Sequence, residues 1–573
     1  MLALTALGQR LLPHDCSGPS PVKSIEVKES IPQRQVPAAR SNWAHAWGML
    51  RPSHKHTVFT ATLVLMASTF LSRIIGLVRV KYIAWLFGSG TDADALTAAF
   101  VLPDMIAYFL VGGTASIAFV SMLTRYRETG REQEGERSLS VILNTMYLVL
   151  GTAILIAEIA APWWVHWWFA GFGPEKAAIC VKLTRILLPA QLFFFTGGVF
   201  GSVLLVRRQF NVQAVTPLIY GMGTIVGGIA LYKYVGAASL AIGTTAGAFF
   251  GPFLLNWYFA HRAGTRYRLI LDFHDAGLHE WVKLSLPLMI GVSLVTMDNV
   301  FISHFASASN GGIALMNYAK QLIMAPMSML AQAAGAASMP FFASLWSQKR
   351  HYEFATGVAD SVSRVAGLGL LTASGMVALG QPLISLIFVG GRFSAADATQ
   401  CAVYFTIFSG TLFLWGAQAI YARAFFAAGI TLEPAIASTI VTVVSFPAYA
   451  AFYHLWGTMG LALASNLGIV LQTLTIATLL HKRRMVSLAS LDFAELGRCL
   501  LAGLVSGATV WAMVYGASRA AMRLHFVGLH NQRLLDAAML LVGSALWLAV
   551  SKWVLEASGS SLPQVAMKRL HLA

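Results

Sequence analysis

Charge is scarce in this chain. Of its 573 residues only 11% are charged and 57% are hydrophobic, whereas an average soluble domain has roughly 25% charged residues. This composition excludes an ordinary soluble globular protein. Apolar runs recur from residue 58 to residue 556, and a run of about 20 apolar residues is enough to cross a bilayer. The sequence therefore predicts an integral membrane protein.

Several sequence patterns are also missing. The four cysteines have no CxxC spacing, so neither a metal site nor a disulfide framework is indicated. Segments of roughly ten residues that alternate apolar and polar, typical of transmembrane β-barrels, do not run through the chain. Bundled helices are the other architecture that satisfies the backbone in lipid. Nothing resembles a P-loop, so the pattern favours transport driven by ions or voltage over nucleotide hydrolysis.

The apolar runs predict an all-α polytopic membrane protein with about fourteen transmembrane helices. The predicted spans are residues 58–87, 93–122, 139–169, 178–206, 215–234, 237–260, 281–305, 313–345, 357–390, 398–427, 433–455, 457–480, 497–518 and 534–556.

Two similar segments, "GTASIAFVSML" at 113–123 and "GAASMPFFASL" at 335–345, suggest a duplicated bundle. We predict a disordered cytoplasmic extension at 1–57 and two lobes of six spans at 58–260 and 261–480. Two further spans and a cytoplasmic tail are predicted at 481–573. Two such lobes around a central cavity are typical of transporters.

The net charge of +16 would suggest nucleic-acid binding in a soluble protein, but its distribution indicates otherwise. Basic residues concentrate in alternate loops, around Arg125, Arg207, Arg262, Lys349 and Lys482. By the positive-inside rule these loops and both termini are predicted to be cytoplasmic. The bilayer, rather than nucleic acid, is the expected partner.

The first predicted span contains cations. Residues 58–71 cover only about 21 Å, so this span cannot cross the membrane without Arg73. An arginine in the bilayer costs at least a few kcal/mol unless it faces a polar cavity, and its guanidinium matches phosphate oxygens. Arg73 and Arg79 are therefore predicted to bind an anionic substrate. Snorkelling to the interface is the alternative, chiefly for Lys81.

Other polar residues are candidates for the same cavity. Asp94 is predicted to be the counter-ion of Arg79, with capping of its own helix as the alternative. Lys320, Gln321 and Asp298 bring polar groups to the second lobe, and Asp298 lies midway along an apolar run, where a carboxylate is by default functional.

Several motifs resemble a known family. "SRIIGLVRVKYIAWLFGSGTDADALTAAFVLPD", "FHDAG", "GVSLVTMDNVFISHFAS" and "GRFSAAD" are similar to the MurJ/MviN family of lipid II flippases, within the multidrug/oligosaccharidyl-lipid/polysaccharide exporter superfamily. The resemblance implies a monomer in the bacterial cytoplasmic membrane. It further implies fourteen helices, a cationic cavity, and transfer of an undecaprenyl-pyrophosphate-linked peptidoglycan precursor to the outer leaflet.

The resemblance also implies roles for particular residues. The cavity arginines of the family's first helix match Arg73 and Arg79, and its acid at the start of the second helix matches Asp94. The "GRFSAAD" segment resembles a family region near a proposed sodium site, which implies Asp397 as an ion ligand. No cofactor is expected, and coupling to Na⁺, H⁺ or the membrane potential stays open.

This chain departs from the family pattern at five positions. Arginines of the family are replaced by Ala107, Tyr108 and Gln321, with Lys320 as a neighbouring cation, and acidic residues are replaced by Gly112 and Val80. These changes leave open a substrate other than lipid II.

Two other functions are alternatives for a polytopic membrane protein of this composition. A drug or metabolite exporter on the same fold would use acidic cavity residues, for which Asp298 is the main support. A membrane enzyme would need a carboxylate or histidine constellation and usually a long outer loop. The sequence has no such loop, so we expect a transporter and not an enzyme.

Overall fold

The computed structural model describes residues 58–207, 209–290, 293–523, 529–560 and 562–563. Throughout these ranges the chain is helical with short connections, and the only extended pairing is an isolated bridge between Gly390 and Phe393. The predicted all-α class is confirmed. The predicted extension at 1–57, together with Cys16, lies outside the described residues, and the other three cysteines are buried.

The helices follow one another with few long loops. In chain order they are α1 (Val58–Phe87), α2 (Thr91–Ala99), α3 (Val101–Ile106), a π-helix (Ala107–Val111), α4 (Gly112–Glu128), α5 (Glu132–Trp168), α6 (Pro174–Leu187), α7 (Ala190–Val206), α8 (Phe210–Val235), α9 (Ala238–Ala248), a second π-helix (Phe249–Leu255), α10 (Asn256–Arg262), α11 (Ala276–Ile290), α12 (Leu294–Ala306), α13 (Gly312–Ser347), α14 (His351–Phe388), α15 (Ala395–Ser409), α16 (Leu412–Ala427), α17 (Leu432–Lys482), a 3₁₀ turn (Leu488–Ser490), α18 (Phe493–Arg523) and α19 (Leu529–Ala557).

Many of these helices are suited to a membrane. By length and apolar composition, 8 helices of the described ranges could cross a bilayer, or 9 when the bent pair α15 and α16 counts as one span. The first predicted span coincides with α1. The predicted spans 433–455 and 457–480 are the two arms of α17, which fold back on each other, because Gln472 Nε2 donates a hydrogen bond to Ser438 Oγ across them. Gly457 interrupts α17 with a non-helical backbone (φ 59°, ψ −139°). The count of fourteen spans stays a prediction.

The helices pack in two groups. The first group comprises α1–α11 and the second α12–α19. The change occurs inside the seventh predicted span, because α11 packs against α4 and α5 while α12 packs against α17. The packing partner thus changes near residue 291, and the lobe boundary at residue 261 stays a prediction.

The bundle has two different ends. The basic end carries the loops at 129–131, 207–209, 263–275, 348–350 and 483–492. The opposite end, which we name the closed end, carries the loops at 88–90, 169–173, 307–311 and 389–394. There the two groups meet directly: the Tyr318 hydroxyl donates to the Gly88 carbonyl at 3.0 Å and the Arg392 amide to the Trp85 carbonyl at 2.9 Å.

A glycine seam holds α8 against α9. A Cβ atom on Gly227 would lie 2.4 Å from the Cα of Gly243, and one on Gly223 would lie 2.5 Å from the Cα of Gly247. Glycine allows backbones to approach this closely, as in other membrane helix pairs. The seam fixes α8, and α1 packs on α8 through Ile75 against Gly221.

Candidate substrate cavity

A cavity of about 650 Å³ lies between the two helix groups. Its polar lining comes from both groups and includes Arg79, Thr97, Asp104, Tyr108, Tyr220, Thr224, Thr244, Thr296, Asn299, Ser303, Asn317, Tyr318, Lys320 and Gln321. Apolar side chains complete the wall. A cavity that combines cations, amides and hydroxyls inside a membrane bundle suits a polar solute or head group.

Arg79 supplies the positive charge of the first group. It lines the cavity, and its guanidinium carbon lies 6.0 Å from the centre of the Tyr220 ring. Ile75 and Tyr82 of α1 pack on glycines of α8, and Arg79 lies between them on nearly the same helix face. The expectation that Arg79 faces a cavity agrees with this position, and its contact with a ligand stays a prediction.

Arg73 lies elsewhere. It does not line the cavity, its side chain is exposed, and it forms no hydrogen bond or ion pair with another residue of the described ranges. Arg73 precedes Val80, a lining residue, by seven positions, so helix geometry places it on about the same face and about 10 Å nearer the basic end. Because α1 is unbroken at Gly76, the two arginines do not converge.

Asp104 is a cavity residue that the sequence reasoning missed. It lines the cavity and lies within electrostatic range of Arg79. The signal was available, because Asp104 is a carboxylate in an apolar run, the same argument that singled out Asp298. Asp104 and Arg79 thus line the same cavity, whereas Asp94 does not.

Asp94 has other partners than the predicted ones. Its side chain is fully buried and bonds Lys176 Nζ at 2.5 Å. It also accepts hydrogen bonds from the backbone N–H groups of Gly311 and Ala314, both at 2.8 Å. These belong to the N-terminus of α13, where negative charge is favoured. Asp94 therefore neither pairs with Arg79 nor caps its own helix. It joins the two helix groups at the closed end.

Lys320 and Asp298 form one buried unit. Lys320 Nζ is bonded to the Asp298 carboxylate and donates to Asn299 Oδ1 at 2.8 Å. Asp298 in turn accepts hydrogen bonds from Tyr449 and from Ser465, the latter at 2.9 Å. Lys320 reaches the cavity wall, but its charge is already balanced. Asp298 does not line the cavity, so it gives no direct support to a cation-binding exporter.

Positions that depart from the family pattern also lie at the cavity. Ala107, Tyr108 and Gln321 all line it, so the arginines that the resemblance implies at these positions would add positive charge to the cavity itself. The hydroxyl of Tyr108 accepts a hydrogen bond from the Ser293 backbone N–H at 3.2 Å, next to the start of α12. Ala107 and Tyr108 begin a π-helix, a distortion that is frequent at functional sites.

Asp397 is a helix cap in this structure. One carboxylate oxygen accepts a hydrogen bond from the Ser89 hydroxyl at 2.5 Å, and the other bonds the Ser394 backbone and hydroxyl at 2.8 Å. Together with the Ser394 side chain it forms a capping box at the start of α15. One carboxylate oxygen thus bonds Ser89 of the first helix group, and the other bonds Ser394 at the start of its own helix. Within the described ranges, no group of three or more His, Cys, Asp or Glu residues is placed to hold a metal ion.

Bonds between the two groups close one end of the cavity. Asp94, Ser89, Tyr318 and Arg392 each take part in a bond between the two groups at the closed end. These bonds must break before the cavity can open on that side.

Comparison with known proteins decides the family. The model of the family described as lipid II flippase MurJ matches residues 83–530. This chain belongs to the MurJ family. The resemblance seen in the sequence motifs is confirmed, although the matched segment begins after Arg73 and Arg79.

Individual relatives of the MurJ family agree with this assignment. A protein of Vibrio cholerae named probable lipid II flippase MurJ is 25% identical over 79% of this chain and 88% of its own length. The lipid II flippase MurJ of Burkholderia cenocepacia is 26% identical over 74% and 84%.

Solved structures show the same fold. A lipid II flippase MurJ in an inward closed conformation superposes with a TM-score of 0.71 at 20% identity, covering 86% of this chain and 99% of that protein. An inward-facing multidrug transporter of the MATE family gives 0.61 at 16% identity, covering 73% and 98%. The chain is thus a multi-pass membrane protein with this transporter fold.

Proposed function

We propose that this protein is a flippase that moves a polyprenyl-pyrophosphate-linked saccharide, with lipid II as the first candidate, from the inner to the outer leaflet of the bacterial cytoplasmic membrane. The observation that carries the proposal is the polar cavity between two helix groups, which contains Arg79 and is closed at one end by bonds between the groups. Membership in the MurJ family supports the lipid-linked substrate. The basic end faces the cytoplasm by the positive-inside rule.

The charges of the cavity suggest how a head group binds. Asp104 balances Arg79 while the cavity is empty, and Asp298 balances Lys320. Arg73 has no such partner among the described residues and lies towards the basic end. On this proposal Arg73 meets the pyrophosphate first, and Arg79 then exchanges its interaction with Asp104 for the incoming phosphate. The saccharide occupies the amide- and hydroxyl-lined wall.

Alternating access requires that the closed end open. The buried bonds of Asp94 must then break, so a ligand must favour the opened state by differential affinity. An ion gradient or the membrane potential supplies the direction of transport. We propose that the protein works as a monomer and not as an enzyme.

Complementation of a conditional lipid II flippase mutant tests the proposal. The wild-type gene should restore growth, and Arg73→Gln and Arg79→Gln should fail to do so at normal protein levels. Lys182→Gln is a matched control, because Lys182 is an exposed membrane-helix cation outside the cavity. Growth supported equally by the two arginine variants would refute the role of the cavity.

If the wild-type gene does not restore growth of that strain, a second assay tests whether the protein transports a lipid-linked saccharide. Flipping of a labelled polyprenyl-pyrophosphate disaccharide in vesicles would show that the failure is caused by the host strain. Absence of flipping would indicate a different substrate. Asp104 favours one alternative, an exporter of a molecule with a cationic group, for which transport of the lipid-linked saccharide would be absent and Asp104→Asn would abolish binding.

A further inference from the structure

Three cations from separate elements lie at the closed end, away from the substrate cavity. They are Lys81 of α1, Arg392 of the loop between α14 and α15, and Arg533 of α19. The Arg392 amide donates to the Trp85 carbonyl at 2.9 Å, and Arg533 Nη2 donates to the Val389 carbonyl at 3.0 Å. Lys81 is one helical turn before Trp85, and a Cβ atom on Gly390 would lie 2.9 Å from Arg533 Nη2 and 3.9 Å from the Trp85 ring. None of the three lines the substrate cavity.

These cations lack a counter-charge in the described part of the chain. None of them forms an ion pair with a described residue, and all three side chains are exposed. The acids that follow Arg392 and Arg533 in the sequence are already bonded: Asp397 to Ser89 and Ser394, and Asp536 to Ser385 at 2.6 Å. Like charges collected without a counter-ion repel one another. A bound anion would remove that cost.

The surroundings indicate an anion with a hydrocarbon tail. Trp85 beside the cations is 50% exposed. Ile74 and Val78 continue the same face of α1 at helical spacing and are also exposed. A tryptophan at the interface above an apolar helix face is typical of contact with lipid. Cations beside such a face recognise anionic head groups.

We propose that Lys81, Arg392 and Arg533 bind the phosphate of an anionic phospholipid whose acyl chain lies along α1. Lys81 belongs to the first helix group, while Arg392 and Arg533 belong to the second. The bound phosphate therefore bridges the groups where they already touch, and it stabilises the conformation in which this end is closed. A lipid that binds this conformation better shifts the equilibrium towards it.

The test uses the full-length protein in detergent and native mass spectrometry with phosphatidylglycerol, phosphatidylcholine and a polyprenyl pyrophosphate. The variant carries Lys81→Gln, Arg392→Gln and Arg533→Gln. The matched control carries Lys182→Gln, Lys233→Gln and Arg523→Gln, which removes the same charge from exposed positions of α6, α8 and α18. A parallel titration contains inorganic phosphate in place of lipid.

Phosphatidylglycerol should bind the variant more weakly by about fivefold for each charge removed, while the control variant binds as the wild type does. Phosphatidylcholine should bind weakly to all three proteins. Equal phosphatidylglycerol affinity of variant and control would overturn the proposal. Inorganic phosphate that binds with the same affinity as the lipid would also overturn the proposal. A loss of binding restricted to the polyprenyl pyrophosphate would overturn it too, because the cluster would then be part of the transport path.

A triple variant that fails to yield monodisperse protein is replaced by the three single variants, each compared with its own control. Lys81→Arg keeps the charge and should retain binding. Loss of phosphatidylglycerol binding in Lys81→Arg equal to that in Lys81→Gln would show that packing rather than charge is responsible, and would also overturn the proposal.

Discussion

Replacement of Asp94 by Asn is the most direct test of how the closed end is held. Asp94 is fully buried and bonds Lys176 at 2.5 Å, and it accepts two backbone hydrogen bonds at 2.8 Å from the start of α13. Asn keeps the size and one acceptor oxygen but loses the charge. Lys176, whose side chain is 9% exposed, would then be buried without a counter-ion.

The expected effect is large. Removal of one partner from a buried ion pair costs about 3 to 5 kcal/mol. We take the lower value of about 3 kcal/mol, because Asn still accepts one hydrogen bond. If the bonds of Asp94 exist only while the end is closed, the whole cost falls on that conformation. At about 1.4 kcal/mol for each tenfold change, the ratio of closed to open molecules falls by about 100-fold.

Spin labels on cysteines at Glu175 and Asn310 would measure this ratio, because the two residues flank the buried bonds of Asp94 from opposite helix groups. In the wild type we expect one short distance by pulsed electron paramagnetic resonance, and in Asp94→Asn a second, longer population. Asp92→Asn is the control, since it removes an acid from the same first turn of α2.

Equal distance distributions for Asp94→Asn and Asp92→Asn would show that the bonds of Asp94 do not hold the closed end. The double variant Asp94→Asn with Lys176→Gln provides a further check. It leaves no buried charge, so it should recover part of the short-distance population. A double variant more open than Asp94→Asn alone would contradict this account.

Three more predictions follow from the cavity and the basic end. Asp104→Asn should tighten binding of a lipid-linked pyrophosphate by about tenfold in a detergent titration, because it removes a nearby negative charge; weaker binding would show that the carboxylate contacts a cationic part of the ligand. Lys320→Gln should destabilise the protein by about 3 kcal/mol, and the further change Asp298→Asn should restore most of the melting temperature; equal losses would contradict the buried pair. A cysteine at Thr129 should react with a membrane-impermeant reagent only in permeabilised cells. Labelling in intact cells would show that the basic end faces outward, opposite to the proposed orientation.

The sequence predicted one break between helices and missed another. Long apolar runs define helices by a local signal, and the predicted bounds of α1 agree with the structure. The break between α11 and α12 has no comparable signal, because it is set by the different groups against which the two helices pack. Gly457 was predicted to separate two spans, and the chain does turn back there, since Gln472 is hydrogen-bonded to Ser438 across the two arms of α17.

Cavity residues were predictable only where burial in lipid would be costly. This argument found Arg79, and applied to Asp104 it would have found that residue as well. The partners of Asp94 were not predictable in this way, since Lys176 and Gly311 lie 82 and 217 positions away in the chain. Pairings over such separations are set by tertiary packing, which no local pattern reports.

The glycine seam between α8 and α9 affects how mutational scans of this protein are to be interpreted. A methyl group at Gly227 or Gly223 would fall within 2.4 to 2.5 Å of the facing backbone, so even alanine forces these helices apart. Such a scan should therefore show two clusters of intolerant positions, one around the cavity and one along the seam. Loss of transport at the seam would report failed assembly of the first helix group, and the amount of folded protein in the membrane distinguishes the two clusters.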